Sequence, residues 1–195
     1  MKVRPVCPLF LTFAVALCCL TVAQAQNPDT QTQQKYAPLA GDAVLAAKDV
    51  GTKLFPDKVF FRGQVASSQE RNSGGVRYAD GFFVLASLVD NSGYSSGIRE
   101  KYQAYLITEV PIELGGQTLK PGAYGCGFID NNKFIVMDLG ANDLFTAAST
   151  KDADIKHPVP LQFVTTAEAG KYRLYHGRDY VEFHRAKRRS NEVRT

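Results

Sequence analysis

From Val59 onward the chain is a series of short β-prone runs separated by Gly, Asn and Asp, and these turns constrain the fold more than any other feature. Tight turns join antiparallel neighbours, so each pair of runs can be tested for a register that gives one coherent face. Gly177-Arg178 suits a type II′ turn, with glycine at the position that needs positive φ. Leu174 then opposes Val181 and Tyr172 opposes Phe183, which makes an apolar face. The other face pairs Arg173 with Glu182, Tyr175 with Tyr180, and Lys171 with His184. A three-residue loop would set Glu182 against Leu174 and is rejected for that reason.

The same test applies to residues 123–139, with Asn131-Asn132 as a two-residue turn. Phe128 then faces Ile135, Cys126 faces Met137, Tyr124 faces Leu139, and Asp130 meets Lys133 beside the turn. Asp80-Gly81 joins residues 76–79 to 82–89, and Gly115-Gly116 sets Ile112 opposite Leu119. Residues 82–89 are largely apolar on both faces, as in a central strand. With runs at 59–65, 102–109 and 161–165, the reading is all-β: an antiparallel β-barrel or two-sheet sandwich of about nine short strands. One short N-terminal helix is expected, with Asp42 as N-cap, Val44, Leu45, Ala47 and Val50 as its apolar set, and Pro56 as its stop.

Ahead of this region, Lys2 and Arg4 precede an apolar run, and Ala23-Gln24-Ala25 supplies a small-x-small cleavage site. Residues 1–25 therefore read as a signal peptide, 26–37 as a flexible tether, 38–185 as a single β-domain and 186–195 as a basic C-terminal tail. Losing Lys2 and Arg4 with the leader lowers the formal charge from +4 to +2, too little for a strongly basic nucleic-acid binder. No later apolar run is long enough to span a bilayer. The expected location is periplasmic or secreted, after cleavage near Ala25. Lipid on Cys18 or Cys19 is the competing reading, although Leu17 stands where a small residue belongs. The absence of an Asn-x-Ser/Thr acceptor favours a bacterial periplasm over a eukaryotic secretory route.

Gly93-Tyr94-Ser95-Ser96-Gly97 matches the G-x-S-x-G elbow that presents a nucleophilic serine between a strand and a helix. A hydrolase using Ser95 is thus one alternative, set against a simple Gly/Ser loop. His157, His176 and His184 lack the short spacing of a zinc site, and Asp152 and Asp154 lack that of a calcium loop. Neither a metal nor another cofactor is expected. Cys126 reads as a small core residue between Tyr124 and Phe128. The run Arg185-Ala186-Lys187-Arg188-Arg189 reads as a solvated tail, with anionic lipid as the alternative contact.

Residues 113–129 (ELGGQTLKPGAYGCGFI) resemble a hairpin in a family of uncharacterised secreted bacterial β-proteins. There a G-x-x-L-x-x-G-x-Y segment joins two strands, and Gly116, Leu119, Gly122 and Tyr124 would occupy it. That family usually carries a Trp-Arg segment upstream, whereas this chain has no tryptophan. The resemblance implies export and a β fold, and carries no activity with it.

These readings lead to an exported, non-catalytic β-domain that binds a small molecule or an envelope component. Its candidate ligand-binding residues are Arg173, Tyr175, Tyr180, Glu182 and His184, which would line the lumen if the fold were a barrel; facing water, they would be an ordinary solvated sheet with cross-strand pairs. A structural or assembly protein of the cell envelope is the remaining alternative.

Overall fold

The structure, a computed structural model, describes residues 40–187. The expected leader, the tether, Cys18, Cys19 and all of the basic tail beyond Lys187 lie outside the described residues. In chain order the strands begin with β1 (Ala43–Leu45), followed by helix α1 (Ala47–Leu54), β2 (Lys58–Phe61), β3 (Gln64–Arg77) and β4 (Phe83–Val89). Helix α2 (Ser96–Lys101) leads to β5 (Ala104–Thr108), β6 (Ile112–Leu114), β7 (Gln117–Leu119), β8 (Gly122–Ile129) and β9 (Lys133–Met137). The chain continues through β10 (Asp143–Ala148), β11 (Thr150–Lys151), β12 (Gln162–Thr165), β13 (Lys171–His176) and β14 (Asp179–Arg185).

Two antiparallel sheets result. Sheet 1 runs β1-β3-β4-β5-β8-β9-β10, with β2 added on β3. Sheet 2 runs β12-β13-β14-β6-β7, with β11 added on β14. Neither sheet closes, so the fold is a sandwich and there is no barrel lumen. Among the described residues fourteen strands replace the roughly nine expected, partly because residues 59–65 are a hairpin rather than one strand. Arg62 (φ 48°) and Gly63 (φ 75°) make its turn, an arrangement hidden by an arginine where Asn, Asp or Gly is usual.

Alternation sorts the side chains into two cores. Val84, Ala86, Leu106, Cys126, Phe134 and Val136 face sheet 2, where Phe163, Tyr172, Leu174, Val181 and Phe183 meet them. From the opposite face of sheet 1, Phe83, Leu85, Tyr105, Ile135 and Met137 pack against Val50 and Phe55 of the α1 region and Val59 and Phe61 of β2. Both faces of sheet 1 are therefore covered, and every residue of β4 is buried.

The last hairpin has the expected register, pairing Tyr172 with Phe183, Arg173 with Glu182, Leu174 with Val181 and Tyr175 with Tyr180. Gly177 takes φ 63°, as the turn requires. Ile112 also pairs with Leu119 across Gly115-Gly116, both of which have positive φ.

Three expectations are corrected. In the β8–β9 hairpin Phe128 pairs with Phe134 and Cys126 with Val136, one residue away from the predicted register. Ile129 instead of Asp130 opposes Lys133, leaving a three-residue loop in which Asn131 and Asn132 both have positive φ. Strand β9 is buried on both faces, so either register offers an apolar face and the coherence test cannot discriminate. The Asp80-Gly81 turn is likewise one residue longer, because the Tyr78 N–H donates to the Phe82 carbonyl at 2.8 Å. At the N-terminus, Val44 and Leu45 pair with β3 as a strand, and the helix starts only after Ala46. Asp42 is not its cap. Its carboxylate accepts from the Ala79 N–H at 2.9 Å and from the Tyr172 hydroxyl at 2.6 Å, joining three distant segments.

Candidate functional site

The period-two alternation of β13 and β14 places Arg173, Tyr175, Tyr180, Glu182 and His184 on one face of sheet 2. Tyr172, Leu174, Val181 and Phe183 occupy the inner face, so the five predicted residues lie on the outer one. The Arg173 guanidinium donates from Nε to the Glu182 carboxylate at 2.9 Å and lies 4.4 Å over the Tyr180 ring. Tyr180 in turn packs on Tyr175, with ring centroids 5.0 Å apart. These four residues form one continuous cluster, with cation–π and aromatic contacts added to the ion pair.

His184 stands apart from the cluster. It pairs with Glu113 of β6 in register, with its Nε2 3.6 Å from the carboxylate. Glu113 and a second carboxylate, Asp152, contact these residues, and no pattern in the sequence points to either. The Tyr175 hydroxyl donates to Asp152 at 2.9 Å, and the Asp152 N–H donates to the Arg178 carbonyl at 2.8 Å. Arg178 returns a bond from Nη1 to the Ala153 carbonyl at 3.0 Å, so the connection after β11 is tied to the tip of the last hairpin. No local pattern announces these partners, because Asp152 lies 23 residues before Tyr175 and reaches it only through the sheet.

The electrostatics follow from that packing. Burial pushes the Tyr175 hydroxyl above its ordinary range, and the carboxylate of Asp152 adds to the effect. Hydrogen bonding to Tyr175 and Glu182 keeps the Arg173 guanidinium firmly charged. The pieces are an ion pair, two phenols and a flanking histidine. What this arrangement offers chemically is a surface with a cation, a carboxylate and the Tyr180 ring, Tyr175 itself being buried at 3% exposure.

The other singled-out residues sit elsewhere. Ser95 follows a buried strand and precedes α2, which is the local order of a nucleophile elbow. Its backbone is extended at φ −60°, ψ 155°, and β5 returns antiparallel to β4. The Ser95 carbonyl accepts from Ile98 and Arg99, and among the described residues no histidine bonds to its hydroxyl. His157 is exposed in the connection after β11, whereas His176 stacks on Phe128 at 6.0 Å with burial lowering its pKa. Cys126 is fully buried between the sheets. Among the described residues no three His, Cys, Asp or Glu side chains converge as metal ligands.

A crevice between the sheets, walled by Leu88, Cys126, Phe134, Leu174 and His176, has a free volume of about 10 Å³, room for one water at most. A larger open depression of about 430 Å³ lies between α2 and the β8–β9 tip, lined by Glu100, Lys101, Gln103, Asp130 and Lys133. Gln103 seals its floor by donating to the Phe128 carbonyl at 2.8 Å and accepting from the Phe128 N–H at 2.9 Å. None of the five predicted residues lines that depression. Comparison with protein-family models, with curated proteins and with solved structures gives no match for this chain.

Proposed function

We propose that the protein is an exported, non-catalytic β-domain that binds an envelope component through the outer face of sheet 2. The observation that carries this reading is the Arg173–Glu182–Tyr180–Tyr175 cluster, held in one arrangement by an ion pair, a cation–π contact and the Tyr175–Asp152 bond. Arginine and tyrosine recur as anchors of binding surfaces, tyrosine because it offers large contact area with few rotamers to freeze and arginine because its planar fork is pre-organised for several bonds. A surface already fixed before contact loses less entropy on binding. The cluster lies on the outside of a sandwich, which suits an extended partner such as an envelope polymer or another envelope protein better than an enclosed small molecule.

The test is co-sedimentation of the purified protein with isolated envelope fractions, membranes and murein sacculi being assayed separately. Binding to one fraction is expected, with a loss of about tenfold or more for Tyr180→Ala or Arg173→Ala at unchanged thermal stability. Binding that both substitutions leave intact removes the face from the interaction. No binding to either fraction defeats the reading.

A further inference from the structure

On the β2–β3 hairpin, Phe60 and Val65 form a cross-strand pair on the outer side, exposed at 54% and 63%. Lys58 precedes Phe60 by two residues on the same side and is exposed, and Arg62 is exposed in the turn beyond it. Two apolar side chains are thus bracketed by two cations; the nearest acid in sequence is Asp57, beside Lys58. The under side of the same hairpin is firmly held. Val59, Phe61 and Ala66 are buried, and Phe61 stacks on Tyr102 at 3.8 Å. The Tyr94 hydroxyl donates to the Phe61 carbonyl at 3.0 Å, and the Arg62 N–H donates to the Leu139 carbonyl at 2.7 Å.

The turn itself carries a second, independent observation. Arg62 and Gly63 have φ values of 48° and 75°, the left-handed pair of a type I′ turn. Asn, Asp or Gly fits the first of these positions without strain, whereas arginine does not. Arg62 nevertheless stands at this exposed position, and a strained residue retained at the surface motivates a role for its side chain.

We infer that the β2–β3 hairpin docks on an anionic lipid surface, with Phe60 and Val65 entering the headgroup boundary and Lys58 and Arg62 pairing with phosphates. The charge pattern selects this occupant: cations flanking apolar side chains match the layered chemistry of a membrane interface. Because the hairpin is already ordered from beneath, insertion requires no folding step. This surface is separate from the outer face of sheet 2 and does not depend on it.

The experiment is sedimentation of the full protein with phosphatidylglycerol-containing vesicles and, in parallel, with phosphatidylcholine vesicles. Binding to the anionic vesicles alone, weakening with salt, is the expected result. Arg62→Asn should weaken it about fivefold, the effect of one cation near such a surface. The same change relieves the turn, so the thermal midpoint should hold or rise and loss of fold cannot account for loss of binding. Phe60→Thr keeps β-propensity and should cost at least about fivefold in binding. No sedimentation with anionic vesicles overturns the inference, as does equal binding to both vesicle types. Binding that neither substitution weakens assigns the contact to another part of the chain. Self-association abolished by Phe60→Thr, without vesicle binding, makes the hairpin a protein contact instead and equally overturns it.

Discussion

The Cys126 thiol sits in the ladder between Ala104 and Val136 with no exposed surface, and burial pushes its pKa up to about 12. Burial also raises Tyr78, Tyr102 and Tyr172. In each case folding favours the neutral form, so this contribution to stability is complete below the unfolded-state pKa. It is lost as pH rises toward the folded one. The urea midpoint should therefore fall as pH is raised from about 9 to about 11. At pH 8, modification of Cys126 by a disulfide reagent, located by peptide mass, should proceed only as fast as the protein unfolds. Labelling that outruns unfolding would show a thiol open to solvent. That Cys126 is a core residue was legible from its apolar neighbours; that Asp42 binds Tyr172 was not. The latter contact spans 130 residues and exists only once β1 and β13 are in place.

At the scale of elements, the contrast between the two long hairpins explains when register can be read. The β13–β14 pair has an apolar face packed on sheet 1 and a polar face whose residues, Tyr175 apart, reach water. A slip of one residue would exchange Leu174 and Val181 for Arg173 or Glu182, and one pairing stands out. In the β8–β9 pair, Phe134 and Val136 enter one core and Ile135 and Met137 the other, which removes that penalty. Turn chemistry then decides, and the positive φ of both Asn131 and Asn132 accompanies the longer loop. The Gly177 turn can be tested directly. A Cβ there meets no atom within 4 Å, so Gly177→Ala probes backbone strain alone and should cost about 1 kcal/mol by chemical denaturation. Gly177→Asn should recover part of that loss, because Asn tolerates the left-handed region. An alanine variant as stable as the parent would mean that the turn does not hold φ 63°.

In the molecule as a whole, sheet 1 is shared by both cores, so neither can be dismantled without exposing the back of the other. Leu174→Ala opens the core between the sheets, and Phe61→Ala opens the one beneath α1 and β2. Each should cost about 3–5 kcal/mol and shift the same single transition, with far- and near-ultraviolet dichroism coincident. Separate transitions for the two variants would show that the cores fold independently. By itself the sequence determined the all-β class, the turn at Gly177, the buried centre at β4 and the common face of Arg173, Tyr175, Tyr180, Glu182 and His184. All of these follow from local alternation and turn geometry. The tertiary structure alone decided for a sandwich over a barrel, for strand over helix at Val44 and Leu45, and for Asp152 and Glu113 as partners of the site. Those outcomes depend on which distant edges meet, and edges that pair across tens of residues leave no period in the chain that forms them.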